Sequence, residues 1–205
     1  VPTGVHLRDV REQLFGAAER VLLRDGPSGL TSRAVTTEAG CAKGVLHRHF
    51  TDFDGFLAEF VLDRVDRMDP QAAALREAAG TGTVVGNLTD ALVAVFSSVA
   101  VAIVPLVTFR DELRARLRQA WPAGVPVLTE ACVMVAGYLT AERDLGRIAA
   151  DAEVDTLAAT LIGTGHLLHA DRTGTAPERA ALHRVVTTVL AGVLRGERPG
   201  RPRVD

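Results

Sequence analysis

Little in this sequence points to covalent chemistry. Its 2 cysteines, Cys41 and Cys132, lie far apart with no CxxC spacing, which excludes a disulfide framework and a cysteine-based zinc site. A reducing, cytoplasmic setting is therefore expected. The opening stretch VPTGVHLRDVREQ has no apolar run of the signal-peptide kind; it begins at Val1 rather than Met, which leaves open whether native residues precede it. Neither GxSxG, HExxH, a P-loop nor a glycine-rich dinucleotide fingerprint occurs, so the chain is not expected to be an enzyme and no cofactor is implied. Asp151, Glu153 and Asp155 cluster, but where a helix should begin, and carboxylates there favour the helix dipole. His166 and His169 share an i, i+3 spacing with no carboxylate or cysteine near them in sequence, so no metal is expected. Strand-type alternation and internal repeats are missing too, which leaves an all-α protein.

What is present is a hydrophobic chain with uneven charge. With 205 residues and 47% hydrophobic content it can bury a sizeable core, and its net charge of −2 argues against coating a polyanion along its whole surface. Residues 1–50 carry 7 Lys/Arg against 5 Asp/Glu, whereas the rest carries 16 against 20, so the first quarter is the part suited to a polyanion. One uncharged run, ALVAVFSSVAVAIVPLVTF from Ala91 to Phe109, is long enough for a membrane span. Its alanines, the Ser97-Ser98 pair and Pro105, which should break it, favour a buried central helix, and no membrane partner is expected.

Helical periodicity covers nearly everything else. Val10, Leu14, Ala17, Ala18, Val21 and Leu22 form a stripe ended by Gly26-Pro27. Thr31 should cap a second helix, Gly40 should supply its left-handed exit, and a third helix should run from about Ala42 to His49. Phe53 to about Met68 predicts a fourth, stopped by Asp69-Pro70, followed by the Gly/Thr-rich joint from Ala78 to Gly86. Leu88–Val104 and Val125–Ala141 are apolar all round, as helices inside a bundle are, and the charged stretch from Phe109 to Ala120 leads to a WPAGVP loop. Two patterned helices, about Asp151–Ala170 and Ala176–Arg195, should meet across a turn at Gly174–Pro177 and lie antiparallel, and the Arg/Pro-rich tail, residues 196–205, reads as disordered. The expected architecture is an N-terminal three-helix helix-turn-helix domain at 1–52 and a C-terminal helical bundle for ligand binding and dimerisation at 53–195.

The stretch TSRAVTTEAGCAKGVLHRHF, Thr31 to Phe50, has the layout of a helix-turn-helix. A helix about 10–12 Å across fits the major groove, provided its apolar side is held from behind. Val45, Leu46 and Phe50 supply that side; Lys43, His47 and Arg48 are free to face outward, with Ala42 and His49 at the helix ends, and Gly44 permits close approach. Thr31, Ser32 and Arg33, at the preceding helix N-terminus, can donate to phosphate. The other reading of the pattern alone is a helical hairpin with a solvated charged face.

From about Leu7 to Val61 the chain resembles the N-terminal domain of TetR-family transcriptional regulators. Gly40-Cys41-Ala42-Lys43-Gly44-Val45-Leu46-His47-Arg48-His49-Phe50 is similar to the family pattern G-V-S-[KR]-G-x-[LIF]-Y-x-[HY]-F, and Thr51–Leu57 follows where K-[ED]-x-L is usual. The resemblance implies a homodimer that sets one recognition helix per subunit on a palindromic double-stranded operator. It also implies dimerisation through the last two helices and a C-terminal cavity for a small-molecule effector that releases DNA, hence a repressor. Three departures weaken DNA affinity. Ala42 replaces a Ser/Thr cap worth about 0.5–2 kcal/mol, His47 replaces a Tyr that reaches a phosphate in relatives and can still donate there more weakly, and Phe53 replaces a Lys, one lost phosphate contact per subunit that flattens the salt dependence by about one unit of slope.

Candidates for the effector cavity wall are Phe96, Phe109, Trp121, Met134, Tyr138 and His166, each of which could equally be plain core. Cys41, where relatives have a small buried residue, is expected to pack rather than to sense redox state. A competing functional class stays open: a helical dimeric small-molecule-binding protein whose DNA-reading surface has decayed.

Overall fold

The computed structural model describes residues 3–122, 124–170 and 177–195, with side chains described from Val10 onward. Among these residues the fold is all-α, with eleven helices: α1 Thr3–Gly29, α2 Ser32–Glu38, α3 Gly44–His49, α4 Phe53–Asp66, α5 Asp69–Glu77, α6 Val84–Phe96, α7 Ala100–Phe109, α8 Asp111–Ala120, α9 Pro126–Asp144, α10 Val154–Ala170 and α11 Arg179–Leu190. The span of α1 is two helices joined across Gly26, whose backbone leaves the helical region where the Gly26-Pro27 step predicts a stop. The turn expected over Gly174–Pro177 falls largely, and the tail 196–205 wholly, outside the described residues.

The chain forms two compact units, each made of two stretches: 1–67 with 98–129, and 68–97 with 130–205. The expected division at 52/53 does not coincide with this one. The reason lies in α4, whose Phe56, Leu57, Phe60 and Val61 are 0% exposed and share a core with Leu14, Val21 and Leu22 of α1, Leu46 of α3, Ile103 and Leu106 of α7, and Leu113 and Leu117 of α8. Phe15, Phe50 and Phe56 cluster at the centre, Phe50 meeting Phe56 edge-on at 4.9 Å between ring centroids. A helix carrying that much buried aromatic surface stays with the core it fills.

One break falls where expected but with a further role, and a second falls elsewhere. Asp69-Pro70 opens α5 rather than only ending α4, because proline in the first turn lacks only an N–H that would be unpaired anyway. The uncharged run is interrupted at Ser97–Val99, not at Pro105, which α7 carries in its interior. Among the described residues no single helix is long and apolar enough to cross a membrane.

In the second unit, α6, α10 and α11 pack around Leu88, Leu92, Phe96, Leu161, Ile162, Leu182 and Val186. Gly165 lets α10 come against α6: a Cβ there would stand 2.2 Å from the Phe96 ring. A buried polar network holds the joint after α5. Glu142 is 0% exposed and accepts from the Gly80 N–H at 3.3 Å. The Asn87 amide donates to the carbonyls of Ala78 and Thr81 and to the Tyr138 hydroxyl, and Arg147 donates to the Gly82 carbonyl at 2.7 Å. Burial and the bond to Glu142 push the Tyr138 phenol well above its ordinary range, so it stays a donor.

Candidate nucleic-acid interface

Thr31 caps α2 from an extended conformation, its hydroxyl accepting from the Ala34 N–H at 3.1 Å. Val35 and Thr36 are buried, and Ala39 closes the helix before Gly40 turns the chain at φ +65°, a left-handed conformation that glycine takes without a Cβ penalty. The Gln13 amide of α1 donates to the Ala39 carbonyl at 2.7 Å, satisfying an orphan acceptor at the α2 exit.

The recognition helix is shorter than the predicted Ala42–His49. It begins at Gly44, with Ala42 in the connecting loop and Lys43 at the N-cap position. Neither side chain has an oxygen to accept the free N–H groups, so nothing draws the first turn back to Ala42. Leu46 is 0% exposed and Phe50 4%, anchoring the helix on the core with half-buried Val45, as expected. Ala42, Lys43, Gly44, His47 and Arg48 are exposed, and His49 is half-buried. At the head of α2, Thr31 and Arg33 are exposed, while Ser32 is half-buried with its Oγ enclosed and without a hydrogen-bond partner among the described residues. Lys43, Arg33 and Arg48 form no ion pair among the described residues, so their charge is available to a phosphate or a base edge. Cys41 is half-buried against the first core, and burial raises its thiol pKa, which suits packing rather than reactivity.

Arg11 of α1 holds the far end of α3, a residue the sequence reading missed. Its guanidinium lies 4.5 Å over the Phe50 ring, donates to the His49 carbonyl at 3.3 Å and pairs with Glu59 of α4. A cation at a helix C-terminus meets unpaired carbonyls and the negative end of the dipole. On the outer side, Arg20 and Arg24 of α1 grip Glu38 of α2 at 2.7 and 2.8 Å. Hydrogen bonds from Arg24 and then Arg20 hold the Glu38 carboxyl below its ordinary range. Beyond α3, Asp52 caps α4 by accepting from the Gly55 N–H at 2.8 Å and pairs with Arg116, while Asp54 pairs with Arg110 at 2.8 Å; both arginines come from the α8 end of the chain. No local pattern could have revealed these pairs, which join residues more than fifty positions apart.

The six residues expected to wall an effector cavity are divided between the two compact units. Phe109 ends α7 at 83% exposed and Trp121 is half-buried on the first unit's core; Phe96, Met134, Tyr138 and His166 belong to the second unit. That unit holds a cavity of about 280 Å³ lined by Leu75, Met134 and four alanines, with Gln71, Asn87 and Asp90 as its polar atoms. Met134 lines this cavity, whereas Phe96 packs on α10 and Tyr138 is spent in the polar network. His166 and His169 enclose Nδ1 atoms without partners, and no cluster of three metal-ligating residues exists among the described residues.

A short helix with exposed cations, held by a capped helix in front and an aromatic core behind, defines the class: a helix-turn-helix DNA-binding domain on an otherwise helical protein. Residues 14–60 match the model of the bacterial regulatory proteins of the tetR family. Residues 14–60 are thus a TetR-family DNA-binding domain. No curated protein matches the chain. Solved structures share its fold: a TetR-family regulator from Agrobacterium tumefaciens (TM-score 0.69, 11% identity, covering 92% of this chain and 100% of that one), the transcriptional regulator FadR from Bacillus subtilis in complex with stearoyl-CoA (0.66, 16%, 88% and 98%), and a transcriptional regulator from Rhodococcus sp. Rha1 (0.64, 23%, 91% and 99%).

Proposed function

We propose that this protein is a cytoplasmic, ligand-responsive repressor that binds a palindromic operator as a homodimer and is released by a small molecule. The observation that carries the reading is the exposed face of α3, where Lys43, His47 and Arg48 surround a Gly44 that admits a backbone or base at close range. Thr31 and Arg33 flank it as phosphate donors, Ser32 sits between them, and Ala42 and His49 bound the reading surface.

Homodimerisation is supported by α10, whose Ala159, Gly163 and Leu167 are exposed at i, i+4, i+8, Leu167 at 67%. A stripe of small residues ending in an exposed leucine lets a second copy approach closely. Ligand response is supported by the apolar cavity beside Met134 and by the FadR neighbour, which was solved with stearoyl-CoA. Domain roles then follow, with the reading helices in the first unit and the effector and partner on the second.

Selection from random duplexes tests this. The expected product is a palindrome with half-sites about one helical turn, 34–36 Å, or a multiple of it apart. The wild-type chain should sediment as a dimer, and Leu167→Arg as a monomer with at least tenfold weaker operator binding. A dimer that enriches no sequence and ignores duplex DNA at low salt would instead support a binding protein with a decayed DNA-reading surface.

A further inference from the structure

Two carboxylates stand where the recognition helix leaves the DNA-facing region. Asp52 follows His49 by three residues, so its Cα lies no more than about 11 Å away along the chain. That is roughly one Debye length at 0.1 M salt, so an uncompensated charge there repels any phosphate drawn to α3. Asp54 adds a second in the first turn of α4. The N-terminus of α4 would otherwise attract an anion, but its own aspartates occupy it. Asp52 stays ionised: the Gly55 N–H and then Arg116 hold its carboxyl below the ordinary range.

Each carboxylate has a matched arginine from the other stretch of the same compact unit. Arg116, on α8, pairs with Asp52; Arg110, at the α8 N-cap, donates to Asp54 through both Nε and Nη2, at 3.1 and 2.8 Å, and lies 5.5 Å from the centre of the Phe53 ring. Two negative and two positive charges thus cancel beside the recognition helix, although they are far apart in sequence.

We infer that Arg110 and Arg116 are positioning residues for DNA binding: they neutralise Asp52 and Asp54 and fix the first turn of α4, so that the DNA-binding surface requires α8 as well as residues 1–67. The inference rests on the DNA-binding reading and extends it to a segment outside the helix-turn-helix.

The test is fluorescence anisotropy of the full-length protein with a labelled 30-bp duplex of arbitrary sequence at about 0.1 M salt. Arg110→Gln/Arg116→Gln should raise the apparent Kd at least fivefold, and adding Asp52→Ser/Asp54→Asn, where serine keeps the cap and the carboxylates are gone, should return it to within about twofold of the wild type. Asp52→Ser/Asp54→Asn alone leaves two uncompensated cations and should bind at least twofold more tightly, a gain that shrinks as salt rises. This second arm does not depend on the arginine variant remaining folded, which circular dichroism checks. Failure of Asp52→Ser/Asp54→Asn to restore binding to the glutamine variant, or no tightening when the aspartates alone are removed, overturns the inference while leaving the DNA reading intact. Absence of binding by the wild-type protein removes both.

Discussion

Gly165→Ala sets two effects of known size against each other. In a helix interior alanine is favoured over glycine by about 1 kcal/mol, so propensity alone predicts a more stable protein. The packing says otherwise. An added Cβ would stand 2.2, 2.5 and 3.1 Å from Cε2, Cζ and Cδ2 of Phe96, a ring only 1% exposed. Carbon atoms rest at about 3.5–4.0 Å, so the ring must retreat by more than 1 Å into a core already filled by Leu88, Leu92 and Leu161. Overpacking of this kind costs roughly 1–3 kcal/mol, and a displacement this large belongs in the upper half of that range, about 2–3 kcal/mol, leaving a net loss of about 1–2 kcal/mol. For a protein of this size that lowers Tm by roughly 2–8 °C. Thermal and urea unfolding of Gly165→Ala measure it, and Phe96→Leu/Gly165→Ala isolates the cause. With the smaller side chain in place, Gly165→Ala should be neutral or stabilising. A Tm raised by Gly165→Ala in the wild-type background would refute the packing argument.

Other outcomes follow from single residues. Arg11→Ala removes the cation over Phe50 and the donor to the His49 carbonyl; stability should fall by about 1–2 kcal/mol, with faster amide exchange in α3 than in α10. Thr31→Ala should cost about 1 kcal/mol in urea unfolding and Thr31→Ser only a few tenths, because serine keeps the oxygen that accepts from Ala34. Burial, and then the neighbouring His166, lower the His169 pKa from its ordinary 6.5. The unfolded chain therefore takes up this proton first as pH falls; the stability is full above about 6.5 and declines in more acid solution, and His169→Gln should flatten Tm between about pH 5 and 7.

The parts of this fold legible in the sequence are those that local chemistry decides. A hydroxyl at Thr31, a glycine at position 40 and an apolar Leu46 and Phe50 leave the backbone few alternatives, and the structure places each as its chemistry requires. Pro105 shows the limit: proline disfavours a helix locally, yet α7 accommodates it because the surrounding residues, Val104, Leu106 and Val107, are buried. The same limit hid the unit boundary, since α4 belongs to the first core through Phe56 and Phe60, whose partners on α7 and α8 are distant in sequence. For the candidate site, outward-facing Lys43, His47 and Arg48 follow from helical period, but Arg11, Arg110 and Arg116 act through pairings that period does not encode. The cavity beside Met134 was least legible, because alanine walls give the same signal as an ordinary core.

The central claim is that the cations on and beside α3 meet phosphate. Binding of the wild-type protein and of Lys43→Gln/Arg48→Gln to one duplex, followed from 50 to about 200 mM salt, tests it most directly, since each phosphate contact contributes about 0.9 to the slope of log K against log salt. The expected result is a steep negative slope for the wild type and one flatter by about 2 per subunit for the variant, at unchanged Tm. Identical slopes for the two proteins, or a wild type indifferent to salt, would contradict the account.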